Sequence, residues 1–199
     1  MTQERPAMMR RGNPKYTWDD TVKAIGKDFS GGRERPAQET IETAALSRYC
    51  EVWEIGNPIY WYEDAAKQAG YRNVLVPWSS TQQTFTNDTF WRPGEPTRFP
   101  VGIGKDVSAS NPAPPEETEE LLPMPPHTNS VRTDMEIEFF EPVCVGDRLT
   151  VKGDKVVNVR PRKTRVGVGA FINWEFLVYN QRSELVARVV RGSYAYNPG

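Results

Sequence analysis

The sequence predicts an α+β domain, with short helices in its first half and one long antiparallel sheet in its second. Three observations predict it. The last third alternates apolar and polar residues over four long runs, which is the period of half-buried strands. Before residue 90, apolar residues recur in short blocks at helical spacing. Helices precede strands, and the turns "PVCVGD" and "NQRSE" are short, which gives α+β order and an antiparallel meander. At 199 residues the chain is long enough for one domain with a real core and marginal for two.

Residues 1–36 are polar, with Gly, Pro and Arg scattered through them, and read as an N-terminal arm packed on the body. Within the arm, Val22, Ile25 and Phe29 share a helical face in "WDDTVKAIGKDF", and "SGGRERP" ends that helix. The body, 37–199, opens with "QETIETAALSRYC", where Ile41, Ala44, Ala45, the adjoining Ala/Leu positions and Tyr49 form a stripe. "YEDAAKQAGY" is a second short helix, with Gly70 as its stop. "VLVP" reads as extended. Pro77 suits the first turn of a helix over 78–90, although that segment has few apolar residues beyond Trp78, Phe85 and Phe90. Residues 104–128 are rich in proline and acidic side chains. They are a long surface loop or an extended strap over a partner.

Four strands follow. The first puts Val131, Met135, Ile137 and Phe139 on one face and Arg132, Asp134, Glu136 and Glu138 on the other. The second sets Leu149, Val151, Val157 and Val159 against polar neighbours. The third lines up Val166, Val168, Ala170, Ile172, Trp174, Phe176 and Val178. "ELVARVVRGSYAY" is the fourth.

Composition excludes several classes. A net charge of −1 argues against a nucleic-acid surface, which needs a concentrated excess of Lys and Arg. No apolar run approaches the roughly 20 residues that span a bilayer. The first residues have no apolar stretch after their basic ones, unlike a secretory signal. Cys50 and Cys144 fit no metal spacing and read as free thiols of a reducing cytoplasm. "GIG" and "GVG" lack the rest of a dinucleotide fingerprint. No metal or cofactor is expected.

The segments "NPIY…EDAAKQAGY…VLVP" and "EFFEPVCVGDRLTV", followed by two long strands, resemble the MaoC-like dehydratases, that is, the (R)-specific enoyl-CoA hydratases. The likeness is strongest to the N-terminal half of the fungal-synthase-like dehydratase group. It covers residues 38–197 and implies a hot dog fold, a curled sheet wrapped around a central helix. In that family the turn reads Gly-Asp-x-Asn-Pro-Leu-His. The Asp and His hold a water and move protons as it adds to the double bond of an enoyl thioester. A backbone N–H at the start of the central helix stabilises the thioester enolate. Here Asn57 and Pro58 match, but Ile55 stands at the Asp position and Tyr60 at the His position. Isoleucine exchanges no proton, and a phenol with an ordinary pKa of about 10 is a poor base at neutral pH.

Other residues keep two readings each. Tyr60 is a substrate contact at a shared cleft or a core tyrosine. Asn57 lines the site or caps the turn before Pro58. Trp78, Ser79 and Ser80 line an acyl site at a helix start or cap and pack that start. Arg160, Arg162 and Lys163 meet the phosphates of CoA or are a solvated hairpin tip. Trp53, Trp61, Trp78 and Trp91 line a wide tunnel or serve the core and an interface.

The resemblance therefore implies a non-catalytic subunit that shapes the acyl pocket of a heteromeric enoyl-CoA hydratase. Its substrate would be a bulky acyl-CoA of lipid or steroid side-chain breakdown. Its partner would be a smaller MaoC-like chain carrying Asp-x-x-x-x-His, in a heterodimer or heterotetramer whose sheets join side by side. One alternative is a non-enzymatic acyl-binding or assembly protein. Another is a thioesterase using Asp88.

Overall fold

The computed structural model describes residues 12–80, 85–86, 93–94 and 121–199. Three short helices, α1 (Trp18–Val22), α2 (Thr43–Val52) and α3 (Glu63–Gln68), precede most of the sheet. The sheet comprises β1 (Glu34–Pro36), β2 (Asn129–Phe139), β3 (Thr150–Thr164), β4 (Gly167–Tyr179) and β5 (Leu185–Asn197). Its strands are all antiparallel and run in the order β1-β3-β4-β5-β2, a hot dog fold. The expected helix over 78–90 begins as a single 3-10 turn, Trp78–Ser80. Most of its remainder, Asp88 and Phe90 included, lies outside the described residues, as do Trp91 and residues 104–120 of the Pro-rich loop.

The last four strands are not a simple meander. β3, β4 and β5 follow one another, but β2 pairs with β5 at the far edge. The connection from β2 to β3 is apolar rather than tight. Val143 and Cys144 are buried, and Val76 N–H donates to Val143 O and Val145 N–H to Val74 O, at 2.8 and 2.9 Å. This anchorage carries the chain across the inner face, so β3 starts on the side opposite β2.

Bulges in β2 and β3 also shift the expected faces. Thr133 and Asp134 together oppose Gly192, since Arg132 pairs with Ser193 and Met135 with Arg191. The extra residue turns Val131 to the outer face, opposite Tyr194, while Met135, Ile137 and Phe139 stay on the inner face. In β3, irregularities on both sides of Val156 make it, rather than Val157, the fully buried residue.

The inner face carries two apolar clusters. One gathers Ile41, Leu46, Cys50, Val76, Phe85, Leu149, Phe176 and Val178. The other, towards the opposite strand ends, gathers Val156, Val159, Ala170, Ile172 and Ala195 under Trp18, Val22 and Phe29 of the arm. Helix α1 is shorter than expected and Ile25 is exposed. On α2 the buried face is Leu46 and Cys50, and Ala44 and Ala45 face outward. The end of the Pro-rich loop packs on the arm of its own chain: Leu122 and Met124 join the second cluster, and Thr21 Oγ1 donates to Pro123 O at 2.6 Å. His127 is buried beside Trp18. Among the described residues no helix is long and apolar enough to cross a membrane.

Candidate functional site

The family turn is built by the end of α2. Ile55 N–H donates to Cys50 O and Glu54 N–H to Glu51 O, at 3.0 and 3.1 Å, a Schellman stop. The residue that turns left-handed is Glu54, at φ 50°, a position that glycine ordinarily fills. Ile55 follows it and packs on the core cluster that contains Cys50. The Ile55 side chain is therefore the apolar anchor of a helix end.

The next residues close on themselves. Asn57 Oδ1 accepts from Ile59 N–H at 3.2 Å and caps the 3-10 turn Pro58–Tyr60. Trp61 Nε1–H donates to Ile55 O, and Leu75 N–H to Ile59 O. Tyr60 is half-buried against the core, and no described residue hydrogen-bonds its hydroxyl. Burial first, then Tyr71 and Cys50, push its phenol above its ordinary range. At neutral pH it stays protonated, so it can donate a hydrogen bond but cannot take a proton from water.

Beside this turn lies the start of the 78–80 segment. Trp78 sits against Phe139 with ring centroids 4.3 Å apart. Ser79 Oγ accepts from Tyr49 Oη at 2.7 Å. Ser80 is fully buried, and its hydroxyl donates to Pro77 O at 2.6 Å. Of the three, Ser80 has a hydroxyl already committed to the backbone.

Other expected groupings do not assemble. Arg160 and Arg162 project from the outer face, opposite Phe171 and Gly169, whereas Lys163 lies on the other face opposite Val168. Arg160 sits over the Phe171 ring at 5.9 Å. At about 3.3 Å per residue, Arg160 is roughly 30 Å along β3 from Thr150, which adjoins the cluster holding Ile55 and Tyr60. Within one chain these cations do not reach the turn. Trp53, Trp61 and Trp78 have separate neighbours. Trp53 is 66% exposed beside Tyr49, Trp61 closes the turn, and Trp78 meets Phe139. The described residues contain no cluster of side chains suited to a metal.

Sequence reasoning missed the Tyr49–Ser79 bond and the charged residues of the inner face, Arg191 among them. The signal for Arg191 was present: Ala187, Val189, Arg191, Ser193 and Ala195 alternate inward, and one of them is charged.

A family model of the FAS1-like dehydratase domain region matches residues 24–189, most of the chain. The chain belongs to this dehydratase family. The MaoC-like resemblance thus stands at the level of the family, and the fold agrees with it. A probable enoyl-CoA hydratase alpha subunit from Thermomonospora curvata is 29% identical over 157 residues, 78% of this chain and 45% of that protein. The chain thus spans less than half the length of that curated relative. A chain of the ChsH1–ChsH2 complex from Mycobacterium tuberculosis superposes with a TM-score of 0.61 at 18% identity, covering 92% of this chain and 95% of the other. A MaoC-like dehydratase from Rhodospirillum rubrum gives a TM-score of 0.50 at 17% identity, covering 84% and 93%.

Proposed function

We propose that this chain is the non-catalytic, pocket-shaping subunit of a heteromeric enoyl-CoA hydratase. One observation carries the reading. The two positions of the proton-shuttling pair hold Ile55, which anchors the end of α2, and Tyr60, whose phenol burial keeps protonated. Hydration needs one group to take a proton from water and a source of one for the carbon next to the thioester. A partner chain, shorter and bearing Asp-x-x-x-x-His, supplies both.

The seam for that partner is the outer edge of β2. Among the described residues β2 ends the sheet, and Val131 and Met135 on it are 46% and 41% exposed. Strand addition there would satisfy the open backbone groups and cover both side chains. A relative described as an alpha subunit and a structural neighbour solved as a two-component complex support the pairing. With its turn freed from proton transfer, the chain shapes space for a bulky acyl-CoA of the lipid or steroid side-chain kind, with Trp78 and Ser79 at its entrance. Cys50 and Cys144 are buried and unpaired, in keeping with a cytoplasmic protein.

The test is co-production with a short MaoC-like chain, then loss of the enoyl thioester absorbance followed for the complex and for each chain. The expected result is hydration by the complex and none above background by this chain alone. Turnover by this chain in isolation overturns the assignment.

A further inference from the structure

The inner face of the sheet changes character along β2. From Phe139 through Ile137 to Met135 it is apolar, and Phe139 lies against Trp78. Beyond Met135 the face turns cationic. Arg191 of β5 pairs with Met135, and Arg132 of β2 pairs with Ser193, so the two guanidinium-bearing side chains rise from diagonal positions across the bulge. Arg191 is half-buried, with its guanidinium carbon 5.4 Å from the centre of the Phe176 ring. Among the described residues neither arginine forms an ion pair or donates a hydrogen bond to an acceptor.

The charges around them do not balance. Asp154, in the bulge of β3, is the carboxylate whose field reaches Arg191, whereas Arg132 and Arg35 oppose Arg191 with like charge. Arg35 is held elsewhere, donating to Gly153 O at 3.2 Å. Burial first, then Arg132, pull the Arg191 guanidinium below its ordinary range, and burial raises the Asp154 carboxyl. A half-buried guanidinium without an acceptor is costly, and a second one nearby adds repulsion. An entering carboxylate relieves both, because two guanidiniums can hold its two oxygens.

We propose that Arg191 and Arg132 form the distal end of the acyl site and bind a carboxylate at the far end of the acyl chain. The ligand class is then an acyl thioester bearing a second, terminal acid group. Its thioester lies at Trp78 and its chain runs along Phe139, Ile137 and Met135. The direction of the chain rests on the reading of this protein as an acyl-pocket subunit. The span from Phe139 to Met135 is about 13 Å of strand, which suits a medium-length chain. A phosphate of CoA offers the same oxyanion chemistry, but the carbon-lined approach favours an acyl terminus.

The test is calorimetric titration of the full chain with monomethyl suberate, dimethyl suberate and CoA, which requires neither a partner nor turnover. Monomethyl suberate, whose ester stands in for the thioester, carries the one free carboxylate and should bind at least tenfold more tightly than the uncharged dimethyl ester. Arg191→Met should weaken monomethyl suberate about tenfold and leave the dimethyl ester unchanged. Arg132→Gln, at an exposed position with little bearing on folding, should act in the same direction. Arg160→Gln on the outer face should leave monomethyl suberate unchanged. Equal affinities for the two esters overturn the proposal. So does a loss that falls on CoA instead of monomethyl suberate, or one that Arg160→Gln reproduces. An inactive complex alongside Arg191-dependent binding of monomethyl suberate would instead remove the hydratase reading and leave the carboxylate site standing.

Discussion

Two bends that match the family in sequence have taken opposite chemical courses. The bend at 54–61 is built on Ile55 and Tyr60 packed against the core, and its polar groups close on one another: Asn57 on Ile59, Trp61 on Ile55. The bend at 144–148 is built on a buried carboxylate. Asp147 is 1% exposed, accepts from Cys144 N–H at 2.9 Å and Gln181 Nε2 at 3.0 Å, and pairs with Arg72 and Arg182. It ties the entry to β3, the 71–76 segment and the β4–β5 turn together. The difference separates two ways of holding a bend: a buried charge with all its partners at one, apolar packing of Ile55 and Tyr60 at the other.

Removing the carboxylate is the strongest way to break that comparison. Asp147→Ala strips an acceptor from a buried backbone N–H and an anion from two arginines. Because both arginines reach water, the expected loss is about 3 kcal/mol, below the cost of stranding a wholly buried cation. Chemical denaturation measures it. A loss under about 1 kcal/mol would make the two bends equivalent. Restoring the other bend comes next. The double change Ile55→Asp, Tyr60→His places a polar group in the apolar anchor of α2. The expected destabilisation is about 2 kcal/mol, with no hydration of an enoyl-CoA by the isolated chain. An active double variant would show that the old geometry survives. The smallest effect sharpens the contrast without touching chemistry. Glu54→Gly relieves a left-handed residue at the helix stop and should raise stability by about 0.5–1 kcal/mol in thermal unfolding, with ligand binding unchanged.

The sheet was legible because period-two alternation survives in any register. β3, β4 and β5 fall where the pattern puts them, and Gly70 ends α3 as its backbone freedom suggested, at φ 92°. The bulges were not legible. One added residue at Thr133–Asp134 changes no composition yet reverses the face of Val131. On α2 the expected stripe took in small alanines along with the Leu position, and volume decides which of the helix's residues are buried, Leu46 and Cys50. At the turn, Asn57 and Pro58 announced the bend. The stop before it was hidden because Glu54 occupies a glycine's conformation. Arg191 was concealed by the opposite error, since a strand read only for its apolar rhythm passes over the charge that shares its inward row.

The kink at Thr133–Asp134 also sorts possible mates. Asp134 leans over Gly192 and accepts from Asn173 Nδ2 at 3.0 Å, so the irregularity is braced from the neighbouring strands. A straight ribbon laid alongside can keep step with Met135–Phe139 or with Asn129–Arg132, but not with both. A companion that zips along the whole border must carry a compensating insertion of its own, which makes this edge a lock cut for few keys.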